Sequence, residues 1–371
     1  MLSLVLVACE GDARHVDEAT LQADLEAVRR TANIAGLIAE LDTPDGALRV
    51  RAGVAELGKP APVPWGAEFR AASTTKAFVA TIALQLVGEG RLGLDDTVER
   101  WLPGVVSGNG NDGAKIRIRD LLQQTSGLFD YVQDADLRAL LFQDLERALR
   151  DQTPPASFVA IAMTHAPVFD AGTRWGYSNT NYLLAGMVIE RVTGRRWQAE
   201  LQNRIITPLG LSHTFVTEAD PALPEPHAHS YMVLPDLPAP IDATETTLEH
   251  TADSAVVSTT ADLNTFFEAL VRGEVLPPAQ LAAMQTTVPA DDPDFPGGRY
   301  GLGLRWLPLS CGGGYWHHEG DSPTGFHTRT GVTPDGERSV VISLSSTMDF
   351  ATTGPALLTL ADHALCDTPV K

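Results

Sequence analysis

The stretch Ser73-Thr74-Thr75-Lys76-Ala77-Phe78-Val79-Ala80-Thr81-Ile82-Ala83-Leu84-Gln85-Leu86-Val87-Gly88 decides how the rest of the chain is read. Phe78, Val79, Ile82, Leu86 and Val87 follow helical spacing, and Gly88 and Gly90 supply the stop. This predicts a helix over 74–87, long enough to be buried at a domain's centre. Ser73 and Lys76 stand three apart at its first turn and so share one face. An amine there can hold or take the hydroxyl proton, while the unpaired N–H groups and positive dipole end of the helix favour a nearby oxyanion. A serine needs those aids, because its free hydroxyl is a poor nucleophile. The alternative is a helix cap followed by a surface lysine. With 16 serines and four lysines in 371 residues, this spacing arises by chance about 0.17 times, so it carries weight only with partners.

Outward from this helix the pattern changes. Upstream, β-rich runs over 34–41 and 47–54 flank Pro44-Asp45-Gly46, whose fixed φ and glycine freedom make a tight turn. Downstream, runs over 326–332 and 338–344 flank Pro334-Asp335-Gly336 in the same way. A first helix over 17–31 carries Leu21, Leu25 and Val28 at helical spacing, with Arg29 and Arg30 at its negative end. A last helix over 355–365 opens on Pro355, which suits a first turn. Between them lie helical patterns over 139–150, 156–163, 182–192 and 262–271, and a proline-rich excursion over 221–240. The expected fold class is therefore α/β plus all-α: an antiparallel sheet flanked by helices with an inserted helical region. Residues 16–72 and 300–371 form the α/β layer, 73–299 the mainly helical region, and 16–371 one unit.

Composition narrows the function. Hydrophobic residues make up 44% and charged residues 20%, as in a globular protein. The formal charge of −20 would repel a phosphate backbone, which argues against nucleic acid as a partner. No apolar run reaches the 18 or so residues of a membrane span. Three cysteines, Cys9, Cys311 and Cys366, neither make a disulfide scaffold nor show zinc spacing. His317, His318, Glu319 and Asp321 offer metal ligands, but neighbours on a strand face opposite ways and Ser322 stands where His-Glu-x-x-His needs its second histidine. No metal and no cofactor are expected.

Two further motifs join the serine and lysine. Tyr177-Ser178-Asn179 precedes a helical run, and its phenol and amide could relay a proton and fix a substrate amide. The bland reading is a core tyrosine with an asparagine turn. His318-Glu319-Gly320 precedes the second hairpin, where a strand could present the imidazole and Gly320 would let backbone approach a ligand. Alone it is uninformative. All three in this order arise by chance on the order of 0.003 times.

On these motifs, and on the stretches 69–76, 121–131, 169–181, 208–214, 254–263, 300–306 and 311–325, the chain resembles the serine β-lactamase and penicillin-binding-protein superfamily. Within it, the resemblance is greatest to the secreted D-alanyl-D-alanine carboxypeptidases of actinomycetes. That implies a β-lactamase/transpeptidase-like fold and a serine hydrolase that passes through an acyl-enzyme. Ser73 would be the nucleophile, Lys76 its proton partner, Tyr177 the general base and acid, and His318 the catalytic strand residue. Asn179, Arg305, Glu319, Gly320 and Asp321 would contact substrate: Arg305 through a terminal carboxylate, Asp321 through its N–H, which with that of Ser73 would form the oxyanion hole. The implied activity is D-Ala-D-Ala carboxypeptidase, with esterase, D-amino-acid amidase or peptidase and β-lactamase as alternatives, and a non-catalytic sensor as a distant one. A Ser-His-Asp hydrolase is disfavoured, because no Gly-x-Ser-x-Gly elbow is present.

Departures from the family pattern are Glu319 for a small neutral residue, Asp321 after Gly320, Gln124 where His is common, and Ala171 for a proline. The first two bear on the leaving group: Glu319 facing the cleft would repel a carboxylate. The resemblance also implies a Cys311–Cys366 disulfide. Residues 1–9 look like the tail of a lipoprotein signal, with Cys9 as lipid anchor and 1–15 as signal remnant and linker; the alternative is a frayed apolar terminus. An extracytoplasmic monomer acting on a small-molecule or peptide substrate is expected.

Overall fold

The two Pro-Asp-Gly turns place hairpins at opposite ends of the chain, and in the computed structural model those hairpins lie side by side. It describes residues 16–32, 34–217, 220–233, 239–345 and 350–366. The first hairpin is β1 (Gly36–Thr43) and β2 (Gly46–Gly53). The later strands are β3 (Val288–Pro289), β4 (Arg299–Tyr300), β5 (Arg305–Pro308), β6 (Gly314–His317), β7 (Gly320–Asp321), β8 (Phe326–Val332) and β9 (Ser339–Ser345). They form one antiparallel sheet in the order β3-β4-β5-β6-β8-β9-β1-β2, with β7 pairing to β8 off this path. The hairpins join along β1 and β9, where Gly36 lies opposite Ser345 and Asp42 opposite Ser339.

Every residue of β8 and β9 is buried, so the sheet is covered on both faces. One cover is α1 (Glu18–Ala32) with the C-terminal helix (Phe350–Leu365). Leu21, Leu25 and Val28 meet Leu357, Leu360, Ala361 and Ala364 above Leu37, Val50, Ile342 and Leu344. Each leucine, isoleucine or valine among them contributes about 1.5–3 kcal/mol on burial. The C-terminal helix starts five residues before the expected Pro355, which therefore lies inside it. The disulfide Cys311–Cys366 ties the turn between β5 and β6 to the end of that helix across 55 residues of sequence. The terminal segment 1–15, with the Cys9 anchor expected there, lies outside the described residues.

The other face carries the helix Thr260–Val271, which packs on β8, β9 and β1, and beyond it lies the expected central helix, α2 (Thr75–Gly88), buried from Thr75 to Leu84. A helix buried on all sides needs apolar residues all round, and this one has them except at Lys76 and three threonine or glutamine positions. Phe78 stacks on Phe266 of the helix Thr260–Val271 at 3.8 Å. The run read as one helix over 139–150 is two, α3 (Ala135–Gln143) and α4 (Leu145–Leu149). The break is Asp144, whose carboxylate caps α4 by accepting from Arg147 N. Two more helices, α5 (Pro155–Met163) and α6 (Thr180–Thr193), complete the wall beside Ser73. Among the described residues no helix is long and apolar enough to cross a membrane.

Candidate active site

Ser73 sits in a 3₁₀ turn, Ala72–Thr74, immediately before α2. Its predecessor Ala72 has φ +45°, a left-handed conformation that costs a non-glycine residue about 1–3 kcal/mol. The turn is held from two sides. Ala71 N donates to Val256 O at 2.8 Å, and Thr74 Oγ1 donates to His318 O at 3.3 Å. Gly320 of β7 packs so closely that a Cβ there would lie 2.1 Å from Ala71 O, so the glycine is required by close approach.

Lys76 is fully buried, and its Nζ donates to Ser73 Oγ at 2.9 Å, Asn179 Oδ1 at 2.8 Å and the Asp253 carbonyl at 2.9 Å. These bonds use the three protons of an ammonium. Burial nevertheless pushes the amine down to about 8, against the pull of Asp253 and Asp130. The Tyr177 ring lies 5.0 Å from Nζ, and its phenol is near enough to Ser73 for that hydroxyl to act on its titration. Burial, reinforced by the Glu319 charge, holds that phenol well above its usual range.

The Tyr177–Asn179 loop is positioned by two residues that sequence reasoning did not assign to the site. Gln124, at φ +61°, accepts from Gly176 N through its backbone carbonyl at 2.9 Å, and its side-chain Oε1 accepts from Ser178 N at 2.9 Å and Asn181 Nδ2 at 2.6 Å. Asp130 accepts from Asn179 N at 3.0 Å and from Asn179 Nδ2 at 3.1 Å, which turns the amide oxygen toward Lys76. Burial raises the Asp130 carboxyl to about 6. Asp253, which receives Lys76 on its carbonyl, is fixed by Tyr131 Oη on Oδ2 at 3.0 Å and by the Thr251 hydroxyl on Oδ1. Asp130 lies within the matched stretch 121–131 and Asp253 beside 254–263, so a signal was present; their chemistry depends on contacts 49 to 177 residues away.

His318 meets the nucleophile's turn through its backbone carbonyl, and both of its ring nitrogens are engaged. The ring is fully buried; Nδ1 donates to the Glu319 carbonyl at 2.7 Å, which leaves Nε2 to accept from Tyr300 Oη at 3.0 Å. Burial pushes the imidazole down to about 4, so it supplies neither a positive charge nor an unengaged nitrogen. Arg305 and Glu319 are paired with each other. Arg305 is fully buried, donates to Glu319 at 3.1 and 3.4 Å and to Asp292 at 3.0 Å, and lies against Phe295, Trp175 and Tyr300. Desolvation opposes the Glu319 anion, but Arg305 holds the carboxyl well below its usual range. The two charges are paired with each other, while Arg305 Nη1 is buried without a hydrogen-bond partner among the described residues. Asp321 lines the site, and its Oδ1 accepts from Arg329 at 2.9 Å and lies 2.6 Å from His327 Nδ1.

The structure thus brings Ser73, Lys76, Tyr177 and Asn179 together, sets Gly320 and Asp321 against the turn, and places His318, Arg305 and Glu319 in the layer behind. A cavity of about 500 Å³ opens beside Ser73 and Asn179. Tyr131, Val132, Leu137, Leu140, Ala148, Phe158 and Leu248 make it largely apolar, and Glu249, Asp253 and Asp321 add acids.

The Beta-lactamase family matches residues 21–364. Penicillin-binding protein 4* of Bacillus subtilis is 27% identical over 342 residues, 85% of this chain and 69% of that protein. Among solved structures, a D-stereospecific amidohydrolase from Streptomyces sp. is 38% identical with a TM-score of 0.86, covering 95% of this chain and all of the other. The D-amino acid amidase from Ochrobactrum anthropi SV3 complexed with D-phenylalanine is 25% identical with a TM-score of 0.80, covering 94% of this chain and 97% of that one. The serine and lysine on a buried helix, the facing tyrosine and the sheet behind them agree with these matches: the chain belongs to the Beta-lactamase family and is a serine acyl-enzyme hydrolase of that fold.

Proposed function

We propose that this hydrolase cleaves amides of D-amino acids or short D-peptides, releasing a neutral amine, in preference to peptides that end in a free D-alanine carboxylate. The observation that carries this reading is the buried Arg305–Glu319 pair. A leaving group with its own carboxylate needs a cation, and the arginine expected to provide one is already neutralised by Glu319 and Asp292. Likeness to a D-stereospecific amidohydrolase and a D-amino acid amidase supports the same class. D-Ala-D-Ala carboxypeptidase activity is the second reading, and likeness to a penicillin-binding protein is in keeping with it.

In the proposed mechanism Ser73 Oγ attacks the amide carbonyl while Lys76 takes its proton. The choice of base follows from the two environments: an amine near 8 has a neutral fraction of roughly a tenth at pH 7, whereas a phenol held well above its usual range has almost no phenolate. Backbone N–H groups of Ser73 and Asp321 receive the oxyanion. Tyr177 gives its proton to the departing nitrogen as the C–N bond breaks, and recovers one from Lys76. Water then attacks the ester, losing its proton to the same pair, and Ser73 is regenerated. We further propose that the protein is a monomer that works outside the cytoplasm, and the disulfide supports the location, since such bonds persist there. The test of function is a panel of D-phenylalaninamide, a D-Ala-D-Ala peptide and its C-terminal amide, with Ser73 adducts followed by intact mass. Faster turnover of the free acid than of both amides would overturn the amidase reading in favour of the second.

A further inference from the structure

We propose that Glu249 recognises a protonated amine carried by the acyl part of the substrate, inside the cavity beside Ser73. This rests on the reading of that cavity as the acyl site and names the kind of substrate it selects. Glu249 is 4% exposed and lines the cavity, yet its Oε2 is buried without a hydrogen-bond partner among the described residues. A buried carboxylate oxygen without a partner costs about 1–3 kcal/mol or more, and an ammonium is the group that best removes the cost.

The other charged groups around the cavity are engaged. Asp253 is held at both oxygens by Tyr131 and Thr251, and Asp321 by Arg329 and His327. Asp151 Oδ1 accepts from Thr153 N and Oγ1, and Arg138 donates to Gln133 Oε1. The cation that acts most on Glu249 is Arg70, whose guanidinium donates to Thr217 Oγ1 at 3.3 Å and to the Pro221 carbonyl at 2.7 Å. Among the described residues no ion pair within 4.0 Å reaches Glu249. Burial therefore outweighs Arg70 and the Ser322 hydroxyl beside Glu249 and raises the carboxyl to about 7, and an arriving ammonium would restore the anion. The apolar walls at Leu137, Phe158 and Leu248 suit the hydrocarbon between such an amine and the scissile carbonyl.

The experiment compares kcat/KM for D-phenylalaninamide and D-phenyllactamide, which differ by an ammonium against a hydroxyl at equal size, on the wild type and Glu249→Gln. A second pair, D-lysinamide and D-norleucinamide, moves the added amine to the side chain. The proposal expects one pair to show a preference for the amine of roughly tenfold or more in the wild type, collapsing toward one in Glu249→Gln. A preference in the first pair assigns the α-amine, and in the second the side-chain amine. Should the variant fail to fold, the wild-type ratios decide alone. Turnover of all four donors with both ratios near one, or ratios that persist in the variant, overturns the role of Glu249 while leaving the hydrolase intact. No turnover and no Ser73 adduct overturns the function itself, and this inference with it.

Discussion

Arg305 Nη2 lies 3.1 Å from Glu319 Oε1 in a pair whose side chains are 0% and 9% exposed, directly behind the strand that closes on Ser73. A buried pair is costly to break from one side, because the survivor keeps its desolvation penalty without its partner. The same pair changes what the site asks of a leaving group.

Glu319→Thr removes the anion and leaves Arg305 facing Asp292 alone. The expected outcome is a loss of about 3–5 kcal/mol in stability and a rise of roughly tenfold in the ratio of kcat/KM for a D-Ala-D-Ala peptide over its C-terminal amide. Denaturant unfolding and the two substrates measure both. An unchanged ratio with a full loss of stability would show the pair to be structural only.

Ser73→Ala, Lys76→Ala and Tyr177→Phe should each lower turnover on the order of a thousandfold or more, and any two together should cost little more than one. Lys76 is hydrogen-bonded to Ser73 and the Tyr177 ring lies 5.0 Å from the same amine, so removing one disables the rest. Near-normal turnover in Ser73→Ala would remove the serine from the mechanism.

The pH profile follows from Lys76. Burial lowers the amine to about 8, and the neutral form is the base, so kcat/KM should climb about tenfold per pH unit below 7 and level off above about 8. D-Phenyllactamide is the substrate for this measurement, since it carries no amine for Glu249 to sense. His318, near 4, is neutral throughout, and Tyr177 stays protonated. A rise centred near 6 would instead mark Asp130 as the controlling group.

Asp130→Asn tests positioning. The carboxylate accepts both Asn179 N–H groups; an amide can reverse that bond and let Asn179 turn its Nδ2 toward Lys76. We expect kcat to fall roughly 10- to 100-fold with KM changed much less, and Asp130→Glu to recover part of it. Equal losses in kcat and stability, without recovery by glutamate, would argue for a packing role.

Much of the fold was legible because its signals are local. Two Pro-Asp-Gly turns marked the hairpins, and apolar spacing marked α1, α2 and α5 within a residue or two. The strands β3 to β7 were not legible: they are two to four residues long, and β5 and β6 are fixed by Arg305, Trp306, Trp316 and His317 pairing across the sheet. Ser73, Lys76, Tyr177 and Asn179 stood out because each sits in a short motif. Asp130, Gln124 and Asp253 carry no motif, since their work is to bond groups distant in sequence. His318 and Arg305 were found but their partners were not, because a sequence shows which residue stands on a strand and not which groups meet around it.

Ala72 ties two properties that are normally selected apart. Its backbone occupies a region that glycine enters freely and alanine resists, and that residue immediately precedes the nucleophile. Replacing it with glycine would relieve the folded state but also widen the range of shapes open to the unfolded chain and to the turn itself. A population of variants selected only for heat resistance would therefore gain little at position 72, whereas one selected for turnover should hold alanine there, keeping the hydroxyl of Ser73 aimed by a bend that has little freedom to relax.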